Sequence, residues 1–263
     1  MTELGGRNKK LLCVERKSQN NGLQTGGENV KHLASCSFGK DSLATVILAV
    51  AYGLPLDAAI YARVMFDKTR SAEPPAHEEF IHTVAIPKLA SWGVKTIIVD
   101  SPVTFQDCFY RVRCRGPNVG KYVGFPIPGR CDVQRDCKLP AIKKAQDLFP
   151  DEDTLWYLGI AKDEPKRLLR LKENQVSLLD RYGYTEKNAE YLCRYYGLYS
   201  PHYDFARRGG CFFCPNQSEK ELKHFKHSCP DLWKELLEMS ATPNKCSERF
   251  NRDYSLEELD KRL

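Results

Sequence analysis

From residue 30 to residue 160 the apolar positions fall into two alternating kinds of run. Residues 30–35, 58–66, 94–99 and 154–160 are short and nearly continuous, as in strands buried on both faces. Between them, 42–50 reads as a buried helix, 78–92 sets Phe80, Ile81, Val84 and Leu89 at helical spacing, and 138–149 shows a third helical pattern. This alternation predicts an α/β class, a mostly parallel twisted sheet covered by helices on both faces. Farther on, 218–228 reads as one more helix. Residues 1–28 are polar and rich in Gly, Asn and Gln, with only Leu11, Leu12, Cys13 and Val14 apolar, which predicts a loosely held arm. The chain divides into that flexible arm (1–28), an α/β domain (29–200) and a small Cys-containing C-terminal helical appendage (201–263).

In parallel sheets a ligand sits beyond the carboxyl ends of the strands. Ser35-Cys36-Ser37-Phe38-Gly39-Lys40-Asp41-Ser42 stands there, between the first strand and the first helix. A tight loop of small residues at a helix N-terminus presents outward N–H groups and a positive dipole end, and Lys40 adds a mobile point charge for phosphate oxygens. A Walker loop, G-x-x-x-x-G-K-[ST], fails at two of its four positions: Ala34 stands at the first Gly and Asp41 at the hydroxyl residue. Asp67 and Gly159-Ile160 fall at strand ends on the same side.

The chain has 263 residues, enough for a large α/β domain with an appendage, and its formal charge of +6 permits a nucleotide or nucleic-acid partner without requiring one. No apolar run approaches the roughly 20 residues of a membrane-spanning helix, and the first residues lack a signal-peptide apolar region. The expectation is a soluble, cytoplasmic protein with no membrane partner. Eleven cysteines then read as thiols or as metal or cluster ligands rather than as a disulfide framework.

The 35–42 segment closely resembles the pyrophosphate-binding loop of the ATP pyrophosphatases (the PP-loop), usually S-x-G-G-K-D-S, with Phe38 replacing the first Gly of the pair. Gly159-Ile160-Ala161-Lys162-Asp163-Glu164-Pro165-Lys166-Arg167 is similar to the G-I-R-x-D-E-S-x-R motif of the phosphoadenosine phosphosulfate (PAPS) reductase-like branch, with Lys162 and Pro165 departing from it. The stretch from Gly129 to Pro140 is similar to that branch's R-C-T-x-x-x-K-x-x-P segment. The resemblance, which covers roughly residues 35–170, implies an adenine nucleotide alpha-hydrolase-like fold that binds ATP with Mg²⁺ and releases pyrophosphate. It implies a nucleotide site at Ser35, Ser37, Phe38, Gly39, Lys40, Asp41, Ser42, Asp67, Gly159, Ile160, Asp163 and Glu164. It assigns catalytic roles to Lys40, Asp41, Lys138 and Arg167, with Arg130 as a further anion clamp.

The C-terminal signal is Arg207-Arg208-Gly209-Gly210-Cys211-Phe212-Phe213-Cys214-Pro215-Asn216, a tight Cys-x-x-Cys knuckle. Next to Arg207 and Arg208 its thiols are expected to have lowered pKa values. It supplies half of a four-ligand site, and Cys131 and Cys137, in the mid-chain motif, supply the other half. Four thiolates suit a [4Fe–4S] cluster, as in the iron–sulfur members of this superfamily, with zinc as the alternative. His224, His227 and Cys229 follow the knuckle, but nine residues separate Cys214 from His224, short for a zinc finger of about twelve, and these histidines read as a solvated helix face. Cys13, Cys36, Cys108, Cys114, Cys193 and Cys246 lack paired spacing and read as incidental thiols, with Cys36 singled out because it lies in the loop.

The resemblance stops short of the sulfonucleotide reductases, whose tail carries an E-C-G-L-H nucleophile: residues 251–263 contain no cysteine, and Cys246 lacks the Gly-Leu-His flank. The first functional reading is therefore an ATP pyrophosphatase that adenylylates an acceptor, a nucleic acid or a small molecule, for iron–sulfur-dependent sulfur insertion. A cysteine desulfurase is a candidate sulfur donor. Two alternatives stand beside it: a PAPS reductase with Cys246 or Cys229 as an atypical nucleophile, and a nucleotide- or nucleic-acid-binding module built on the basic run from Arg111 to Arg115.

Overall fold

The four apolar runs, with a short fifth segment, become five parallel strands: β1 (Lys31–Ser35), β2 (Ala58–Arg63), β3 (Lys95–Asp100), β4 (Thr154–Leu158) and β5 (Gln175–Val176). This computed structural model describes residues 30–129, 131–150 and 153–263; the expected arm at 1–28 and the candidate Arg130 lie outside them. The sheet order is β3-β2-β1-β4-β5, with every pair parallel. The strand order reverses between β1 and β4, so a crevice opens at their carboxyl ends, where Ser35 and Leu158 pair.

Register puts alternate side chains on opposite faces. Leu33 opposite Trp156 joins one core with Ala58, Ile60 and Val99, beneath Ala145. Ala34 opposite Tyr157 joins the other, with Ala59 and Tyr61. The helices α1 (Lys40–Ala51), α2 (Pro75–Phe80) and α3 (Ile86–Ser91) line this second face, and α4 (Phe105–Phe109) follows β3. Ala145 belongs to α5 (Leu139–Asp147), so both faces are covered, as the near-continuous apolar strands predict. The remaining helices are α6 (Pro165–Leu168), α7 (Leu178–Arg181), α8 (Glu186–Tyr195), α9 (Glu219–Ser228), α10 (Pro230–Ser240) and α11 (Leu256–Arg262). Lys31–Leu263 form one compact unit.

Two predicted helices are interrupted for one reason. The pattern at 78–92 resolves into α2, a π-helical turn at Ile81–Ala85, and α3; the pattern at 138–149 opens with a π-helical turn at Gln134–Lys138 before α5. Each wide turn precedes a proline at the second helical position, Pro87 or Pro140. A proline ring displaces the preceding-turn carbonyl and donates no hydrogen bond, and a wider turn absorbs both defects.

A third, aromatic core lies under the C-terminal helices, built from Phe66, Phe105, Phe109, Phe125, Phe213, Trp233 and Phe250 among others. Phe105 and Phe213 stack with ring centres 3.7 Å apart and planes 15° apart. Phe212 and Phe213 are the middle residues of the Cys-x-x-Cys knuckle and are buried. They anchor it from below while Cys211 and Cys214 stay half-exposed.

Candidate active site

The crevice at the strand ends is a cleft of about 410 Å³. Its wall includes Ser35, Ser37, Gly39, Asp41 and Ser42 of the first loop and Gly159 and Ile160 after β4. Lys138, Arg167 and Cys211 also line it. Sequence separations of up to 176 residues are thus closed into one site by the β1/β4 switch point.

The loop geometry follows from a few residues. Phe38 adopts φ 57°, a left-handed backbone that side chains rarely take. Its ring is fully buried and packs edge-on against Tyr61 at 5.1 Å, so burial offsets the backbone strain. Phe38 therefore shapes the loop from the core and does not line the cleft. Gly39 caps α1 without a side-chain acceptor, which leaves first-turn amides available to an outside anion. One of them, the Lys40 N–H, is accepted by the Tyr203 hydroxyl at 3.3 Å. Gly159 meets the start of α1: a Cβ there would lie 2.7 Å from Ser42 N and 2.8 Å from Asp41 C.

Other expected residues are placed differently. The Lys40 side chain is not part of the cleft wall and donates to Asp41 Oδ1 at 2.8 Å and Glu186 Oε2 at 2.9 Å. Burial pulls its pKa down, but those hydrogen bonds outweigh it and leave it raised. Asp67 is not in the cleft wall. It caps its own turn, accepting from the backbone of Thr69 and Arg70 and from the Arg70 guanidinium, and these bonds overcome burial to hold its carboxyl at about 2. Asp163 accepts from the Glu186 N–H at 3.0 Å and so ties α8 to the strand end. Glu164 receives the Ala161 N–H at 3.1 Å and pairs with Arg167 at 2.6 Å. Among the described residues Lys138 lines the cleft without a salt-bridge partner.

Three cleft residues escaped the sequence reading. Glu73 is half-buried; burial, opposed by Lys138, pushes its carboxyl up to about 7. His77 is buried, its Nδ1 lies 2.9 Å from Ser200 Oγ, and its ring also hydrogen-bonds the Ser37 backbone. Burial lowers its pKa to about 4, so the ring braces the loop as a neutral group. Tyr203 comes from a short turn, Pro201–Asp204. None stands in a motif; a carboxylate before Pro74-Pro75 was the nearest thing to a signal.

Cys137 is buried with its sulfur 3.5 Å from that of Cys108, a residue read as incidental. Cys131, Cys211 and Cys214 lie near enough to feel one another's charge, and Cys137 feels that of Cys211. Burial raises the Cys211 thiol well above its usual range, and Glu73, Cys214 and Cys131 raise it further; the expected lowering beside Arg207 and Arg208 is not found. Among the described residues no three His, Cys, Asp or Glu side chains are arranged to hold one metal ion. Zinc–sulfur bonds of about 2.3 Å require thiolates nearly in contact, so zinc fits this arrangement poorly. A [4Fe–4S] cluster spaces its thiolates more widely than a single zinc ion does. Cys36 is buried in the loop, and burial pushes its thiol up to about 11, which makes it a poor nucleophile. Cys229 and Cys246 are absent from the cleft wall. Arg111 and Arg113 are ion-paired with Asp136 and Asp132, which weakens the case for a basic nucleic-acid platform there. His224 stacks on Phe205 at 3.5 Å instead of standing free in solvent.

Among the described residues no helix is long and apolar enough to cross a membrane. Comparison with family models and with curated protein sequences finds no match to this chain.

Proposed function

We propose that the cleft is an ATP pyrophosphatase site of the PP-loop, PAPS reductase-like kind, on an adenine nucleotide alpha-hydrolase-like sheet, and that it adenylylates an acceptor for sulfur insertion. One observation carries the reading: three separate motifs, the 35–42 loop, Lys138, and Gly159 with Arg167, meet Cys211 in one crevice at the strand-order switch. Phe38 supports it, because the loop takes a left-handed backbone at the position where the resembled loop carries glycine.

In this reading the α1 N-terminus and Lys138 receive the β- and γ-phosphates, and Arg167 exchanges Glu164 for a phosphate oxygen. Asp41 is the residue that would help hold Mg²⁺, which would supply charge neutralisation for the phosphates. An acceptor oxygen attacks the α-phosphorus as the bond to the bridging oxygen breaks. The electron pair leaves with pyrophosphate, whose growing charge the loop amides and Lys138 stabilise. A [4Fe–4S] cluster held by thiols of the Cys131, Cys137, Cys211 and Cys214 set would supply the sulfur that replaces AMP. That Cys211 lines the cleft wall supports this reading.

Calorimetry with Mg·ATP on anaerobically purified protein tests the first step. Wild type binds, and Lys138→Ala loses roughly tenfold or more in affinity, the worth of a charge-assisted hydrogen bond. ATP-dependent release of orthophosphate instead of pyrophosphate, unchanged in Lys138→Ala, would overturn the reading.

A further inference from the structure

Lys40 occupies the position from which an anion loop draws its mobile charge, yet it serves α8. Its side chain is 14% exposed and its ammonium is divided between Asp41, its chain neighbour, and Glu186, 146 residues away. Glu186 is the first residue of α8, and its side chain is 51% exposed. The helix does not require that carboxylate as a cap. Thr185 accepts from the Asn188 N–H while Asn188 Oδ1 accepts from the Thr185 N–H, a complete capping box. Two further contacts fix the register of α8 beside the loop: Asp163 Oδ1 accepts the Glu186 N–H at 3.0 Å, and Cys193 Sγ donates to the Lys40 carbonyl at 3.1 Å. Glu186 therefore stands where a phosphate oxygen would otherwise compete for Lys40, on an element held in place without it.

We propose that Glu186 is a positioning residue that keeps the Lys40 ammonium off the cleft and competes with nucleotide phosphate for it. Phosphate binding is then coupled to release of Lys40 from α8. The inference rests on the proposed nucleotide site. A half-exposed carboxylate is a weak competitor, because water solvates it once it is released. The four-carbon stem of Lys40 lets the charge swing from helix to phosphate without moving the loop. Tyr203 fits the same picture: it accepts the Lys40 N–H, and among the described residues no acceptor takes its own proton, which can then be donated to an incoming oxygen.

The test uses inorganic pyrophosphate as the probe and the full chain as wild type, Glu186→Gln, Glu186→Asp, Lys40→Ala and the Glu186→Gln/Lys40→Ala double variant. Glu186→Gln binds pyrophosphate roughly threefold to tenfold more tightly, the range of a partly exposed ion pair. Glu186→Asp returns toward wild type, and the double variant shows no gain over Lys40→Ala. Acetylation of Lys40 by an amine-reactive ester, read by mass spectrometry, rises in Glu186→Gln without ligand. Pyrophosphate bound equally by wild type and Glu186→Gln, with unchanged Lys40 labelling, overturns the competition and leaves the nucleotide site standing. Absence of pyrophosphate and ATP binding in wild type and every variant overturns both.

Discussion

Gly159 is where the tolerance of the proposed site can be measured. It follows the last residue of β4 and lies against the first turn of α1. A Cβ at 159 would lie 2.7 Å from Ser42 N and 2.8 Å from both Asp41 C and Ser42 Cα. Ordinary contacts of these atoms lie at about 3.5–4.0 Å, so Gly159→Ala must separate strand end and helix by most of an ångström. All three neighbours are backbone, so no side chain can rotate aside. Overpacking of this kind costs about 1–3 kcal/mol. The reduced freedom of the unfolded chain returns about 0.4–1 kcal/mol, leaving a net loss of up to about 2.6 kcal/mol. At about 2–4 °C per kcal/mol for a chain of this size, Tm falls by up to about 10 °C. Gly210→Ala is the matched control: it lies in the same cleft wall, and nothing stands within 4 Å of its Cβ position. It should stay within about 0.5 kcal/mol of wild type. Thermal unfolding of the three proteins decides the matter. If Gly159→Ala melts with or above Gly210→Ala, the close approach of β4 to α1 is not a constraint and the argument fails. ATP affinity should fall in Gly159→Ala as well, since the displaced atoms belong to Asp41 and Ser42.

Two further outcomes are expected. His77, with its pKa lowered from 6.5 to about 4, binds a proton more readily in the unfolded chain, so its contribution to stability is full above pH 6.5 and is lost as pH falls toward 4. At pH 5 the loss is about 2 kcal/mol. Glu73, raised to about 7, works in the opposite direction across this range, so the quantity to measure is the difference in urea midpoint between wild type and His77→Gln at pH 7.5 and pH 5.0; an equal difference at both values refutes the assignment. Asp67→Ala should cost about 1 kcal/mol through loss of its turn-capping bonds while leaving ATP affinity unchanged; a clear drop in affinity in calorimetry would return Asp67 to the nucleotide site.

Much of the fold was legible because strand burial writes itself into composition. Leu33, Ala34, Ile60 and Tyr157 lie between two covered faces, and a strand in that setting has no polar alternation to obscure it. The strand ends, the 35–42 loop and Gly159-Ile160 were found by the same route. Interruptions in the helices were not, although Pro87 and Pro140 were in plain view: a proline reports a local defect, and its neighbours decide whether the helix ends or widens. Phe38 carried a partial message, since its side chain looked out of place in a phosphate loop, but the sequence could not say that the ring leaves the loop for the core beside Tyr61.

The sequence by itself determined the four main strands, the principal helical stretches between them, where the small-residue loops fall, and which cysteines have paired spacing, because those properties depend on neighbours along the chain; β5 and the shorter helices it left unread. Tertiary structure decided what each charged or thiol group faces. Lys40 is drawn to Glu186, Asp67 to Arg70 and Cys137 to Cys108, while Glu73, His77 and Tyr203 enter a cleft that no motif announced. Hydrogen bonds and ion pairs act over about 3 Å, and which residues come that close is settled by packing of elements far apart in the chain.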